Sequence, residues 1–418
     1  MTTNWTYKLI VMNNTNEILL DSVSLPTYSP EVSHVAVINH INDYLNKNYN
    51  IKTNVLRCLK QEKNVRSYEV EVVESCSVTN ATWVDSTEAL RYLNDLDQSL
   101  LSEWLSNSEE PVVPWFKPGW REEMEQWIKN VLQDQTVEIE QIRSWERSAL
   151  FKVIAKNRNY YFKAVPIIFS HEPSINQFLD QHHASYVPEV IAVHPQNNWY
   201  LMQELQGPLL GKTNDLHQWE QALIRLVDIQ KKSTLHITNP SSMYCPTRPV
   251  TSTIQHHLET ALYKLYQHKE ISTHTYNVLL ESVPNIFRKC DQLQHSNIPL
   301  ALEHGDFFGG NIIIHQDGPV IYDWSDSTLS HPFLSVMVLL EEVEHLFSKE
   351  AAKRLLDEYL EYWCEFDSKD RLYDEYKLLK TISPAYYLTV YQTYIFTTFK
   401  DNWDKQQIVD EYVRQWII

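Results

Sequence analysis

Glycine is rare in this chain, and its positions constrain the fold more than any other feature of the sequence. The 418 residues contain seven glycines, and four of them lie within residues 301–326. These four are Gly305, Gly309, Gly310 and Gly318. Because glycine adopts left-handed backbone conformations and allows close backbone approach, this window is predicted to contain tight turns.

The same window carries a small set of polar side chains at a defined spacing. His304, Asp306 and Asn311 belong to one motif, H-G-D-x-x-x-x-N, and Asp323 ends the second of two short apolar runs that follow it. The two runs and the Asp-Gly turn between them predict a β-hairpin with Asp323 at its far end. Phosphoryl transfer uses these residue types, with one carboxylate to orient or deprotonate a hydroxyl and oxygen ligands for magnesium.

The motif and the D-W-S that follows resemble the catalytic motifs of protein kinases, with glycine in place of arginine. In this respect the chain resembles the aminoglycoside phosphotransferase and choline kinase family over about residues 136–399. The resemblance implies an α+β, protein-kinase-like bilobal fold with a β-rich N-lobe and an α-helical C-lobe. It further implies that Asp306 is the catalytic residue. Asn311 and Asp323 would bind Mg²⁺, and Asp326 would support them.

The family resemblance also implies the reaction, which is transfer of the γ-phosphate of ATP or GTP to a hydroxyl of a small molecule. The choice of nucleotide stays open. Residues 341–375 hold twelve carboxylates against five Lys or Arg, which predicts a solvated acidic face or a site for a cationic acceptor. An aminoglycoside or an amino alcohol would be such an acceptor. The alternative is a nucleotide-binding pseudokinase with a regulatory role, because the phosphate loop lacks glycines.

The length of the chain predicts two or three domains. Residues 1–106 are predicted to form a small α+β domain, and residues 107–135 a linker with one helix. Residues 136–207 then form the kinase-like N-lobe. Residues 208–418 form the helical C-lobe with the catalytic loop and the acceptor pocket.

Lys163 is the first candidate for nucleotide binding. It lies in a strand of β-branched and aromatic residues, where a lysine is costly to bury without a partner. The resemblance implies that Lys163 contacts the phosphates and pairs with a helix glutamate, for which Glu172 is the nearest candidate. Glu172 lies at the predicted start of its helix, whereas protein kinases place this glutamate in the middle.

Two further segments are candidates for nucleotide contacts. Ser144 and Ser148 belong to a predicted loop where aminoglycoside kinases have a serine-containing loop, so they could contact phosphate or be ordinary turn serines. The end of the last predicted N-lobe strand resembles the hinge whose backbone binds adenine. This segment includes Gln203, Glu204 and Leu205.

Residues 1–106 resemble a Nudix fold in their order of hairpin, helix, strands and final helix. An active Nudix box would place metal-binding glutamates where this chain has Tyr44, Lys47 and Asn48, and the first glycine of the chain is Gly119. A phenol, a cation and an amide are poor substitutes for carboxylates around a divalent ion. This predicts a domain without Nudix activity, and an unrelated α+β domain is an equally good interpretation.

One position departs from the family pattern. The family usually has Pro-x-x-Asp after the metal-binding aspartate, which fixes the next helix, and here Pro332 is followed by Ser335. This predicts a weaker structural contact and leaves the chemistry unchanged.

Charge and composition exclude several classes of partner. A formal net charge of −18 argues against nucleic acids and anionic membranes. The sequence shows neither a membrane span nor a secretory signal. The five cysteines are scattered and form no C-x-x-C pair, which predicts reduced thiols in a cytoplasmic protein.

Overall fold

The computed structural model describes residues 5–30, 35–75, 77–106, 111–235 and 244–417. Cys76 and residues 107–110 of the predicted linker lie outside the described residues. The chain divides into two compact units, namely Met1–Pro166 with Trp199–Leu201, and Ile167–Asn198 with Met202–Ile418. Long strands predominate in the first unit and helices in the second, which confirms the predicted α+β class.

A six-stranded sheet forms the N-terminal part of the first unit. Its strands are β1 (Thr6–Met12), β2 (Glu17–Leu20), β3 (Thr27–Tyr28), β4 (Ile51–Glu62), β5 (Val65–Ser75) and β6 (Thr82–Asp85). Three helices accompany it: α1 (Asn39–Tyr49), α2 (Ser86–Ala89) and α3 (Asp95–Ser106). The strand order is β4-β5-β1-β2-β6, with β3 paired to β1. β1 and β5 are parallel, whereas β1 and β2 form the predicted antiparallel hairpin.

The side chains of β1 alternate between the two faces of this sheet, and each face is covered by a buried hydrophobic cluster. Tyr7 and Leu9 point to one face and pack in a buried cluster with Ile41 of α1. Ile10 points to the opposite face and joins a second cluster with Leu101 of α3. Since successive strand residues face opposite sides, one strand contributes to both hydrophobic layers.

The rest of the first unit consists of one helix and further strands. These elements are α4 (Trp120–Leu132), β7 (Glu138–Trp145), β8 (Ser148–Ile154) and β9 (Asn159–Ala164). Of the two strands that follow in the chain, β10 (Val190–Val193) belongs to the second unit, and β11 (Trp199–Gln203) contributes Trp199–Leu201 to the first. β7, β8 and β9 are successively antiparallel. Aromatic rings of α4 pack against this sheet, with Trp120 at 6.1 Å from Phe162 and 5.4 Å from Trp199 between ring centroids.

The predicted loop between β7 and β8 is a tight turn. Trp145 pairs with Ser148 in the ladder, so only Glu146 and Arg147 connect the strands. The sequence suggested a longer loop because polar residues of a half-buried strand resemble loop composition.

Side chains of β7 join it to the six-stranded sheet. The Gln141 amide accepts a hydrogen bond from the Val55 N–H and donates one to the Val55 carbonyl, each at 2.8 Å. The Ser144 hydroxyl donates to the carbonyl of Leu56 at 2.7 Å. Strands from the predicted N-terminal domain and from the predicted N-lobe therefore lie in one compact unit.

Gln141→Leu is expected to lower the free energy of unfolding by about 2–4 kcal/mol. The substitution leaves both backbone groups of Val55 buried without a partner, and each loss costs about 1–3 kcal/mol. Urea titration followed by tryptophan fluorescence measures the effect. The matched control is Gln126→Leu on the exposed face of α4, for which less than about 0.5 kcal/mol is expected. Equal effects of the two substitutions would contradict this role of Gln141.

The second unit consists mainly of helices. They are α5 (Glu172–His182), α6 (Leu216–Thr234), α7 (Val250–Gln267), α8 (Thr273–Leu293), α9 (Ser335–Leu346), α10 (Lys349–Glu361), α11 (Lys369–Val390), α12 (Phe396–Thr398) and α13 (Lys405–Ile417). Its strands are β12 (Ala301–Glu303), β13 (Ile312–His315), β14 (Gly318–Ile321) and β15 (Thr328–Ser330). They form two ribbons, β12-β15 and β13-β14. Of the helices in the described ranges, none has the length and apolarity needed to span a membrane.

Two features of the last helices differ from expectation. The sequence predicts a helix over residues 372–399 that is broken at Pro384. The break is wrong, because α11 continues through Pro384 to Val390. The Ser383 hydroxyl donates to the Lys380 carbonyl at 3.2 Å, which satisfies the acceptor that the missing proline N–H would leave open. The helical geometry changes instead at a π-helical turn, Tyr391–Ile395.

Candidate active site

The glycine-rich window forms a loop between the two ribbons of the second unit. His304 follows β12 and is fully buried. Its Nδ1 lies 3.3 Å from the N–H of Asp306, and its Nε2 lies 3.2 Å from the carbonyl of Tyr322. These contacts require a neutral imidazole with its proton on Nε2. His304 therefore fixes the start of the loop relative to the end of the hairpin.

Gly305 has the left-handed backbone that the sequence predicts for this window. Its φ is +84°, and a Cβ at this position would lie 2.4 Å from the carbonyl oxygen of Asp326. Gly309 is needed for close packing, because its Cβ would lie 2.6 Å from the backbone nitrogen of Gly211. Glycine at these two positions thus allows the loop that contains Asp306 to pack closely against the backbone of Asp326 and of Gly211.

Gly305→Ala is expected to reduce activity at least tenfold and to destabilise the protein by clearly more than Gly119→Ala. Both glycines have positive φ, at +84° and +81°, but a Cβ at Gly119 meets nothing within 4 Å. The control therefore carries only the backbone strain of about 1–2 kcal/mol. Thermal unfolding and activity assays of the two variants separate strain from the clash with Asp326. Equal losses of stability and activity in the two variants would contradict the prediction, because they would mean that the structure shifts to relieve the clash with Asp326.

Asp306, Asn311 and Asp323 lie in neighbouring parts of this loop and hairpin. Asn311 Nδ2 donates to Asp306 Oδ2 and to the Asp306 carbonyl, both at 2.9 Å. The N–H of Tyr322 donates to the Asn311 carbonyl at 3.1 Å, so Asn311 lies across from the residue before Asp323. Asp323 has a φ of +66°, a conformation that aspartate tolerates better than most residues. Ser325 Oγ donates to its Oδ1 at 2.9 Å.

The carboxylates around the loop repel one another. Burial raises the pKa of Asp306 to about 7, and the charges of Asp326 and Asp323 contribute to the increase. The hydrogen bond from Asn311 opposes it. The Asp306 side chain nevertheless keeps access to solvent. A cation near these groups would favour their ionised forms.

The oxygen groups of the hairpin fit a magnesium ion. Asn311 uses its Nδ2 toward Asp306, which leaves its Oδ1 as the ligand atom, and Asp323 supplies a carboxylate. Magnesium is usually held by one or two carboxylates together with water and phosphates. No group of three His, Cys, Asp or Glu residues among the described ones forms an all-protein metal site.

Sequence reasoning missed the support beneath the loop. Glu303 is almost fully buried, and its Oε1 accepts from the Gly305 N–H at 2.9 Å and from Ser335 Oγ at 3.1 Å. Ser335 Oγ in turn accepts from the His304 N–H at 3.0 Å. The serine where the family usually has aspartate thus fixes α9 to the loop together with Glu303. Burial raises the pKa of Glu303 to about 7.

Two more residues hold the loop from neighbouring elements. Glu342 of α9 accepts from the Gly309 N–H at 2.6 Å. His171, directly before α5, is buried beside the backbone of Ser325 and Ser327. Burial lowers the pKa of His171 to about 4. Neither residue belongs to a recognisable motif, so only the packing of the folded chain reveals them.

The predicted nucleotide-binding side chains lie on several elements. Lys163 is buried on β9, and Glu172 is the buried first residue of α5. The Ser144 hydroxyl donates to Leu56, as described above. The Ser148 hydroxyl accepts from Trp145 Nε1 at 2.9 Å. Ser144 would have to give up its bond to Leu56 to donate to a phosphate. The bond from Trp145 does not use the O–H of Ser148. The role of both serines stays a prediction.

The predicted hinge residues lie at the end of β11 and directly after it. Gln203 ends the strand, and its N–H donates to the Glu189 carbonyl at 2.9 Å. Glu204 and Leu205 come next and are half-buried. Gly207 then allows close approach to β13, since a Cβ there would lie 2.0 Å from the Ile314 carbonyl oxygen.

Tyrosines of the last helices lie close to the catalytic loop. The Tyr412 ring on α13 is 5.5 Å from the Tyr387 ring and 5.9 Å from the Tyr391 ring. Burial raises the pKa of the Tyr412 phenol, and the nearby carboxylates Asp306 and Asp326 raise it further. The family resemblance implies that the aromatic C-terminal helices line the acceptor pocket, whereas the sequence by itself favours core packing for most of these rings. Helix α13 was not predicted.

In the N-terminal part, the residues that replace the Nudix glutamates lie on α1. The Tyr44 ring stacks on Tyr28 with centroids 4.0 Å apart, and Asn48 Nδ2 donates to the Tyr44 carbonyl at 2.8 Å. Lys47 is exposed. The resemblance to a Nudix fold and its lack of activity stay predictions.

The fold and the H-G-D loop together define the class of kinase-like phosphotransferases. Residues 138–379, more than half of the chain, match the model of the phosphotransferase enzyme family. The chain belongs to this family, and its class of activity is that of a small-molecule phosphotransferase. A search of curated proteins gave no match.

Several solved structures are similar to this chain. The choline kinase from Cryptosporidium parvum Iowa II has a TM-score of 0.51 and 15% identity, covering 72% of this chain and 91% of that one. A choline/ethanolamine kinase family protein from Mesorhizobium loti has a TM-score of 0.49 and 14% identity, covering 71% and 93%. The spectinomycin phosphotransferase solved with ADP and spectinomycin has 0.48 and 14%, covering 70% and 97%. The choline kinase similarity confirms the kinase-like fold.

Proposed function

We propose that this protein transfers the γ-phosphate of ATP or GTP to a hydroxyl of a small molecule. The observation that carries the proposal is the arrangement of Asp306, Asn311 and Asp323. The Asn311 amide nitrogen donates to the Asp306 carboxylate, and the Asn311 carbonyl accepts from the N–H of Tyr322, the residue before Asp323. A proton acceptor next to two oxygen ligands for a cation is the arrangement that phosphoryl transfer to an alcohol needs.

Each residue has a defined part in this proposal. Asp306 orients the acceptor hydroxyl and takes its proton as the oxygen attacks the γ-phosphorus. Asn311 and Asp323 hold Mg²⁺, which neutralises phosphate charge when it is bound. Lys163 contacts the phosphates, with Glu172 as its pairing residue. Catalysis by such a site rests on positioning and on charge stabilisation.

The nucleotide base is proposed to bind along the backbone of Gln203, Glu204 and Leu205. This part of the proposal rests on the position of the segment directly after β11 and before Gly207. Ser144 and Ser148 are retained as phosphate contacts, with less weight on Ser144, because its hydroxyl already donates to the Leu56 carbonyl whereas that of Ser148 accepts from Trp145.

The acceptor is proposed to be an alcohol that also carries an amine. Tyr412 packs against Tyr387 and Tyr391, and the charges of Asp306 and Asp326 act on its phenol. The faces of aromatic rings and nearby carboxylates both attract an ammonium group. Many carboxylates of residues 341–375 instead form exposed ion pairs, such as Lys369 with Glu361 at 3.0 Å.

An acceptor screen tests the proposed function. Purified protein, MgATP or MgGTP, and a panel of amino alcohols, aminoglycosides and other polyols are assayed for acceptor-dependent release of nucleoside diphosphate. We expect at least one acceptor to stimulate release, and EDTA to abolish it. Nucleotide binding without any acceptor-dependent release would instead support a pseudokinase.

A further inference from the structure

An arginine beside the catalytic loop has no ion-pair partner in the part of the chain that the structure describes. The side chain of Arg248, just before α7, is half-buried. Among the described residues its guanidinium forms no ion pair and donates no hydrogen bond. Its contact is with the face of Tyr394, whose ring centroid lies 4.6 Å from the guanidinium carbon. Stacking on one face leaves the five N–H donors at the edge of the guanidinium available.

The backbone of Arg248 is fixed to the strand that follows the loop. Its N–H donates to the Leu329 carbonyl at 3.0 Å, and Ser330 Oγ donates to its carbonyl at 2.7 Å. Tyr386 of α11 donates to the same carbonyl at 3.2 Å. β15, which includes Leu329 and Ser330, begins two residues after Asp326 and pairs with β12, which leads into the loop. Arg248 is therefore presented from a rigid position.

The surroundings of Arg248 are those of the proposed acceptor site. Its charge acts on the buried Glu303 carboxyl, on which the charge of Asp326 also acts. Its stacking partner Tyr394 belongs to the same π-helical turn as Tyr391 of the tyrosine cluster. In a protein with a net charge of −18, an arginine that pairs with none of the nearby carboxylates is unusual.

We propose that Arg248 binds an oxyanion of the acceptor, so that the phosphorylated alcohol carries a carboxylate or a phosphate group. This inference rests on the proposed function and deepens it by naming the acceptor class. Arginine binds carboxylate and phosphate through paired N–H donors. An acceptor with an amine near the tyrosine cluster and an acid group at Arg248 would be held at two points, which orients its hydroxyl.

The test compares alcohols that differ only by the acid group. Ethanolamine is paired with L-serine, and glycerol is compared with glycerate and with glycerol 3-phosphate. We expect acid-bearing members to have the higher kcat/KM, and the glycerol series shows whether a carboxylate or a phosphate is preferred. Arg248→Gln is expected to reduce kcat/KM for the preferred acid-bearing acceptor by about 10- to 100-fold, mainly through KM. Its effect on the matching alcohol without the acid group should be less than about threefold.

Two further variants make the result specific. Arg288→Gln removes one exposed charge from α8 and should leave every value unchanged. Arg248→Lys keeps the charge without the planar pair of donors, so it should restore only part of the loss. Equal losses for acid-bearing and acid-free acceptors in Arg248→Gln would overturn the inference, because they would indicate a role toward the nucleotide or the structure.

Calorimetry in the presence of MgADP measures acceptor binding, so it tests the role of Arg248 independently of turnover. If the wild-type protein phosphorylates no member of the panel, the proposed activity fails for these acceptors. Glycerate, glycerol 3-phosphate or L-serine must then still bind the wild-type protein, and bind Arg248→Gln at least about tenfold more weakly. Absence of binding by all three anionic probes, or equal binding to both proteins, would overturn the role of Arg248.

Discussion

Asp306→Asn should lower phosphate transfer by about 100-fold or more and leave nucleotide affinity within a few-fold. The substitution keeps the shape of the side chain, and the amide oxygen can still accept from Asn311. It removes the proton acceptor, and loss of a general base costs about 10²–10⁴ in rate. Turnover on an acceptor from the screen gives the first quantity, and calorimetry with MgADP gives the second.

The same variant should not lower the melting temperature. Partial desolvation and the neighbouring Asp326 and Asp323 charges raise the pKa of Asp306, so they disfavour its ionised form in the folded state. Replacing this carboxylate with a neutral group removes repulsion from the folded state. If Asp306 instead had a structural role, Asp306→Asn would lower the melting temperature. The control is Asp317→Asn in the exposed turn of the β13-β14 hairpin, which should change neither turnover nor stability.

Asp323→Asn should abolish the magnesium-dependent part of the stabilisation by nucleotide and reduce turnover to near background. Asparagine is chosen because Asp323 has a positive φ, which asparagine tolerates and alanine does not. A ligand at 100 times its dissociation constant stabilises the folded state by about 2.7 kcal/mol. We therefore expect a clear rise in melting temperature for the wild-type protein with MgATP or MgGTP.

The comparison for Asp323 is the melting temperature with nucleotide, with and without EDTA. In the wild-type protein the chelator should remove part of the shift, and in Asp323→Asn it should change nothing. Asp317→Asn, on the turn of the same hairpin, should behave as the wild type. If the magnesium-dependent shift has the same size in the wild type and in Asp323→Asn, the assignment of Asp323 as a magnesium ligand is wrong.

Local sequence predicted the parts of the fold that are decided locally. The β13-β14 hairpin and the left-handed Gly305 follow from an Asp-Gly turn and a rare glycine. The tight β7-β8 turn was missed because polar strand residues resemble a loop. Pro384 was expected to end a helix, and the preceding serine supplies a compensating hydrogen bond that a proline rule does not include.

The parts of the site that the sequence did not predict depend on tertiary contacts. Glu303 and Ser335 are 32 residues apart and meet beneath the loop, and neither belongs to the family's catalytic motif. Arg248 lies 81 residues before Leu329, whose carbonyl fixes it, and Tyr412 lies on a helix beyond the family match. Such pairings carry no periodicity or spacing that a single sequence reveals. The roles of Asp306, Asn311 and Asp323 stay predictions until the variants are measured.

The most direct test of the central claim follows the γ-phosphate itself. The wild-type protein and Asp306→Asn are incubated with magnesium, γ-labelled ATP or GTP, and the pooled acceptors, and the labelled products are separated. The proposed function predicts label in an organic phosphate ester for the wild type, and about 100-fold less in the variant. Label that appears only as inorganic phosphate, or in the same ester equally with both proteins, would contradict it.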